Sequence, residues 1–277
     1  MFKKLCIGMI TGVALLVGLA TPTHASTDLG KTPHLFYVKV KKPIFTGQYK
    51  IVKGHHQRLL TPKGTVLRVV KIKKAENGQR SEAALTWGLI SHKLRQKVYD
   101  PRSASYAVKQ FNTTYFEPYK LKLPISEYMF QAGSFSNTQE SYYKPIFNIT
   151  MDGYLQYFSS SRLKHYHIQT TWLYGKTPAN GRQNPIYTIK PSKTVKIAKS
   201  TSKDKQFRLY YRQPISGLTE KKTHGYYRLT INELGDKSQT WKSNGHTYAA
   251  MWRTYKVGSH PFYYLWGSET DDPQYLK

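Results

Sequence analysis

The sequence holds a single cysteine, Cys6, in 277 residues. It sits at the head of an apolar stretch, Ile7 to Ala20, with Lys3 and Lys4 before it and Thr23-His24-Ala25 after it. This is the three-part layout of a cleavable secretory leader. The stretch is shorter than the roughly 20 apolar residues that span a bilayer as a helix. Residues 1–25 therefore read as a leader cut after Ala25, and Cys6 leaves with it. The released chain has no thiol, which excludes internal disulfides, cysteine nucleophiles and thiolate metal sites. Export without disulfides suits a Gram-positive cell that secretes directly to its surroundings.

Acid is the second scarcity. Asp and Glu number 15 against 43 Lys and Arg, for a formal net charge of +28, of which Lys3 and Lys4 contribute two. Such an excess sets up a positive field that gathers polyanions. Nucleic acid is the usual partner, but export disfavours it and points to wall polymers such as teichoic or lipoteichoic acid, or to surface glycans.

Long apolar runs are also missing after the leader, so no transmembrane segment is expected in the mature chain. Residues 266–277 carry no hydrophobic tail or wall-sorting pattern. The expected location is secreted, held at the surface without a covalent link.

Catalytic signatures are absent too. There is no His-Glu-x-x-His motif and no Gly-x-Ser-x-Gly elbow, and no spacing among Glu117, Glu127, Glu140, Asp152, Glu233 and Asp236 marks the carboxylate pair of a glycosidase. His55-His56 and His165-Tyr166-His167 lack the further ligands a metal site requires. No catalytic residue, metal or cofactor is expected, a wall-modifying enzyme being the least favoured reading. Asn112-Thr113-Thr114 and Asn148-Ile149-Thr150 match the glycosylation pattern, which matters only in a eukaryotic host.

What is present is tyrosine, 23 in all, and alternation of apolar with polar residues. Aromatics favour pleated, half-buried surfaces, and the alternation predicts an all-β chain of short strands. Tyr37–Val40, Thr65–Val70 and Lys193–Ile197 read as strands. Phe147–Met151 and Tyr154–Phe158 flank Asp152-Gly153, a two-residue hairpin turn.

An internal repeat at an offset of 129 residues pairs Tyr37 with Tyr166, Ile44-Phe45 with Leu173-Tyr174, Leu60 with Ile189, and Thr65-Val66 with Thr194-Val195. Trp87–Ile90 and Tyr106–Val108 have counterparts in Gly225–Leu229 and Tyr248–Ala250. Acid-free gaps between Asp28 and Glu76 and between Asp152 and Asp204 enclose the two copies. The expected organisation is an N-terminal linker (26–33), a first unit (34–118), a connecting segment with the hairpin (119–159) and a second unit (160–277).

Each unit shows an opening strand, a basic loop, a polar turn into a β-branched strand (Thr61-Pro62-Lys63-Gly64-Thr65-Val66 and Lys190-Pro191-Ser192-Lys193-Thr194-Val195), an aromatic-led strand and a closing Tyr strand. This order resembles the SH3-like and GW-type wall-binding repeats of secreted proteins from lactobacilli and other Firmicutes. The chain departs from the GW type in having Trp87-Gly88 and Trp266-Gly267 rather than Gly-Trp. The resemblance implies two small SH3-like barrels that are non-catalytic and bind a wall polymer.

The expected anion-binding residues are Lys39, Lys41, Lys42, Lys50, Lys53, Arg58, Lys63, Arg68 and Lys71 in the first unit, with His55 and His56 beside them. In the second they are Lys190, Lys193, Lys196 and Lys199. Lys39 and Lys41 would share one strand face while Val38 and Val40 point inward; the competing reading is a solvated face or a lysine-guarded edge strand. Tyr226, Tyr227, Phe262, Tyr263, Tyr264 and Trp266 are candidates for an aromatic platform that stacks on sugars, as an adhesin for mucin or glycosaminoglycan would need. A final strand followed by an acidic tail is the plainer reading of the last four.

Overall fold

The computed structural model describes residues 26–73, 80–98, 106–108, 110–137, 143–168, 186 and 189–272. The leader with Ala25, Glu76, Glu140 and Leu173-Tyr174 lie outside the described residues. The fold is all-β, with two short α-helices among the described residues.

The first half contains β1 (Tyr37–Val40), β2 (Ile44–Val52), β3 (His55–Thr61), β4 (Val66–Lys73), β5 (Glu82–Thr86), α1 (His92–Val98), β6 (Tyr106–Val108) and β7 (Phe116–Pro118). Five of these form an antiparallel sheet in the order β6-β5-β4-β1-β7, so the first and last strands of the unit are neighbours. β2 and β3 form ladder pairs only with each other, as a two-stranded arm between β1 and β4 in sequence, with β2 lying near β6 and β3 near α1. Alternation places Val38 and Val40 in the core while Lys39 points outward. They pack with Leu67, Leu85, Phe111 and Phe116.

The second half contains β8 (Met129–Ala132), β9 (Ile146–Ile149), β10 (Tyr154–Phe158), α2 (Ser160–His165), β11 (Lys193–Lys196), β12 (Lys199–Lys203), β13 (Gln206–Tyr211), β14 (Lys221–Thr223), β15 (Tyr226–Ser243), β16 (His246–Val257) and β17 (His260–Thr270). They form one ten-stranded sheet in the order β11-β10-β9-β8-β17-β16-β15-β13-β12, with β14 beside β15. The two ends of this order are consecutive in sequence. At the bend between them, the Ile197 N–H donates to Gly153 O (2.9 Å) and the Ala198 N–H to Tyr210 O (2.8 Å). The sheet thus curls back on itself around a core that includes Phe130, Phe147, Leu155, Leu209, Leu229 and Tyr255.

This arrangement corrects several expectations. The segment 119–159 does not stand between two units, because its three strands belong to the second sheet, β8 against β17 and β10 against β11. Among the described residues the repeat carries over only in part: Val66 and Val195 both lie on strands, but Tyr37 lies in β1 whereas Tyr166 caps the C-terminus of α2. Short alternating strings match one another wherever strands occur, which is what the offset detected. Trp87–Ile90 forms no strand; it is an irregular, largely buried stretch after β5.

The predicted hairpin forms, with Leu155 opposite Ile149, but its turn takes in Met151 as well as Asp152-Gly153. Thr150 and Tyr154 close it through a backbone bond of 2.8 Å. Met151 leaves the ladder because its side chain enters the core of the first half and its N–H reaches Leu89 O (2.8 Å). Beside it, Asp152 accepts from the Ser91 N–H (2.8 Å) and hydroxyl (2.5 Å). Glu127 accepts from the Tyr37 hydroxyl (2.6 Å) and the Leu89 N–H (3.3 Å). The two halves are therefore docked on one another.

Candidate anion-binding face

The first-half cations do not form the expected row. Lys39 pairs with Glu117 at 3.1 Å, its direct cross-strand partner. Lys41 lies past the end of β1 and donates to Thr113 O (2.6 Å), and Lys42 sits over the Tyr115 ring at 4.5 Å. Arg68 stands opposite Tyr37 and Thr86, and Lys71 opposite Ala84. Lys53, His55, His56 and Arg58 lie on the β2–β3 arm, with Arg58 over the Phe45 ring at 5.0 Å. Lys50 belongs to β2, and Lys63 to the turn before β4.

In the second half, Lys193 and Lys196 lie opposite Tyr157 and Tyr154 on β11. Lys190 is close enough to His92 that, after burial and alongside Arg95, its charge helps hold that imidazole below its ordinary value. Lys199 alone of the predicted cations joins a larger assembly.

That assembly is the outward face of β12, β13, β14 and the first part of β15. Phe207, Leu209 and Tyr211 turn into the core, as do Leu229 and Ile231. The strand period of two then sends Arg208 and Tyr210, and Tyr226, Arg228 and Thr230, to the other side. Register places Lys199 opposite Tyr210, Tyr210 opposite Arg228, and Arg228 opposite Lys221, a single row across four strands. Strands lie about 4.8 Å apart, so the row is roughly 14 Å long.

The Lys199 ammonium lies 4.6 Å from the Tyr210 ring centre and 5.3 Å from that of Tyr226. The Arg212 guanidinium lies 5.7 Å from the same Tyr226 ring. Two cations, Lys199 and Arg212, thus meet at Tyr226, and Lys199 also lies over Tyr210, the cross-strand partner of Arg228. The Nε of Arg228 is fully buried and makes no hydrogen bond.

No acid interrupts these strands; 199–203, 206–211, 221–223 and 226–232 contain none. The adjoining Glu220 is turned inward, where it accepts from the Tyr211 hydroxyl and from the Ile215 N–H (3.1 and 3.2 Å). Burial raises its carboxyl above the ordinary glutamate value, although both hydrogen bonds oppose the shift. Other acids serve elsewhere: Asp236 accepts from Arg253 at 2.6 Å, with Glu233 at 3.5 Å from the same guanidinium, and Asp272 accepts from Tyr248. Acid is scarce in this chain, and much of it is committed to pinning the fold.

Of the platform aromatics, Tyr226 joins the face. Tyr227 packs on the opposite, core side, Phe262 and Tyr263 are buried, and Tyr264 stacks on Tyr128 at 4.1 Å. Burial removes Phe262 and Tyr263 from any platform and pushes the Tyr263 phenol up to about 12. Trp266 is half exposed. Among the described residues no three His, Cys, Asp or Glu side chains gather as a metal-ligand set, and no helix is long and apolar enough to cross a membrane.

Sequence reasoning missed Tyr210, Arg208, Arg212, Lys221 and Arg228. The signal was available in the alternation of Gln206–Arg212 and Tyr226–Asn232, which sorts cations and tyrosines from apolar residues. No family model, curated protein or solved structure matches the chain.

Proposed function

We propose that this chain is a secreted, non-catalytic protein that binds an anionic polymer of the cell surface, teichoic or lipoteichoic acid being the leading ligand. The observation that carries the reading is the acid-free row Lys199–Tyr210–Arg228–Lys221 with Arg212 beside it. Each cation contributes only about 0–1 kcal/mol to an exposed ion pair, so affinity comes from several contacts to one polymer. The β2–β3 arm, with Lys53 and Arg58, supplies a second basic surface, and engagement of both by one chain gains avidity. The order of the first half, with β1 between β4 and the closing β7 and a basic hairpin after β1, supports an SH3-like reading of that half.

The test is retention of the purified protein on cell walls, with and without teichoic acid, across a salt series. Strong retention on intact walls that falls steeply as salt screens the charges, and is lost on stripped walls, is the expected result. Equal retention on stripped walls overturns it. A sugar-selective adhesin is the second reading, favoured by the half-exposed Trp266; retention that survives high salt and is competed by free sugar would support it.

A further inference from the structure

We infer that the open end of the second sheet holds a separate saccharide site, in which the exposed Trp266 indole stacks on an uncharged pyranose ring and the Asp236–Arg253 pair binds its hydroxyls. The site does not rest on the cationic row. It gives the sugar-selective reading a definite place and a ligand class.

Tyr255 is in the core, and Arg253 is the next residue of β16 on the same face. Arg253 therefore stands where the core ends, with its side chain 30% exposed. Its cross-strand neighbours are Asp236 on β15 and Tyr264 on β17. Tyr264 stacks on Tyr128 at 4.1 Å, and the two pack against the core as a floor.

The strands on both sides of Arg253 are bulged. Glu233 and Asp236 are three residues apart, and an unbroken strand would send them to opposite faces. The extra residue, Leu234, returns both to one side. Arg253 then donates to Asp236 through Nε at 2.6 Å and Nη2 at 2.8 Å, and reaches Glu233 at 3.5 Å. On β17 the register shifts between Leu265 and Gly267, and Trp266 is the residue left over. Its indole N–H reaches the Asp236 carboxylate. Bulges concentrate at barrel rims and beside functional sites, where they re-aim a side chain. Here one assembles the acid pair and the other sets an indole beside it.

These groups are open to a ligand: Trp266 is 49% exposed and the Asp236 side chain 47%. An ion pair in the open adds little to stability, and tethering an exposed indole costs side-chain entropy. Their combined effect is a platform ordered before any ligand arrives, which favours binding.

Charge narrows the ligand. Asp236 and Glu233 face Arg253, and the field of Lys205 also acts on Asp236. These two acids and two bases cancel, whereas the row on β12, β13, β14 and β15 carries no acid. A polyanion is not drawn to this rim. A purely apolar partner would strip water from the ion pair without replacing its hydrogen bonds. A sugar ring offers C–H groups on its face and hydroxyls at its edge, which suit an indole with donors and acceptors beside it.

The test follows the indole N–H resonances of the five tryptophans by NMR in the purified protein, with Trp266 assigned through Trp266→Phe. Maltotriose and tri-N-acetylchitotriose are the neutral probes, and trigalacturonate is the charged one. At least one neutral trisaccharide should shift the Trp266 resonance saturably, with the same midpoint in low and high salt because no ligand charge is screened. No shift with either, or a stronger response to trigalacturonate that fades with salt, overturns the site. By calorimetry, Trp266→Ala should weaken binding about tenfold, and Trp266→Phe, which keeps a ring, about threefold. Wild-type affinity in Trp266→Ala also overturns the proposal. The wild-type titration keeps the site testable if Trp266→Ala folds poorly. Loss of salt-sensitive wall retention beside an intact trisaccharide shift fells the polymer reading and leaves this site standing.

Discussion

The Glu127 carboxylate occupies the place where a β-carbon on residue 88 would stand: a methyl built on Gly88 would lie 2.0 Å from Oε1. Gly88 also has φ of 50°, in the left-handed region where a side chain is strained. Both features put a glycine at the junction of the two halves, in the stretch 87–90 that reads as a strand from sequence.

Gly88→Ala should therefore destabilise the protein by about 1–3 kcal/mol from backbone strain, with more from displacement of Glu127. That displacement breaks its bonds to Tyr37 and Leu89. Urea denaturation checks the loss, and Glu127→Gln in the same background should recover little of it, because the amide is as large as the carboxylate.

Met151→Ala should cost about 2–5 kcal/mol, the range for a buried methionine cut to alanine. Met151 is borne on the β9–β10 turn of the second sheet but packs in the core of the first half. The variant should lower the stability of the first half in particular and separate a wild-type single transition into two. Thermal unfolding followed by calorimetry and far-UV dichroism would show this as two transitions in place of one.

Glu220 gives a pH dependence of defined sign. Burial raises its folded-state value above the ordinary 4.5, so just above that pH the folded state keeps a proton that the unfolded state has released. Stability from this group is then lost as pH rises through that window. Glu220→Gln, which retains an acceptor for Tyr211 and Ile215, should gain on wild type between pH 4 and pH 7. Denaturant midpoints of the two proteins across that range provide the check; a constant difference would refute it.

Tyr226→Leu should weaken polymer binding by about 2–5-fold, the equivalent of one exposed cation–π interaction, because it releases Arg212 and leaves Lys199 with Tyr210 alone. Thermal stability should hardly change, since Tyr226 is on the outward face. Binding isotherms at fixed salt, with melting curves alongside, separate the two effects.

Strand chemistry was legible in the sequence where alternation was clean. Val38 and Val40 point inward, Lys39 outward, and the hairpin around Gly153 forms. Pairing over long distances was not: nothing in 129–132 announces β17 as a partner, and nothing in 193–203 announces a strand that bends to bound both ends of a sheet. The site was half legible for the same reason. Lys199 and Tyr226 could be picked out singly, but Arg228 becomes their neighbour only through the register of β12, β13 and β15. Charge density misled in the first half, where Lys39 is matched by an acid 78 positions away in sequence, Glu117.

β12 is an edge strand whose five residues are all exposed, with Lys199 and Lys203 at its two ends. Its free backbone groups are a template on which a second molecule could add a strand, and the two lysines oppose this by repulsion. An anionic polymer that neutralises them lifts the same guard. Under the function proposed above, polymer binding would therefore also weaken the guard against edge-to-edge pairing of two copies.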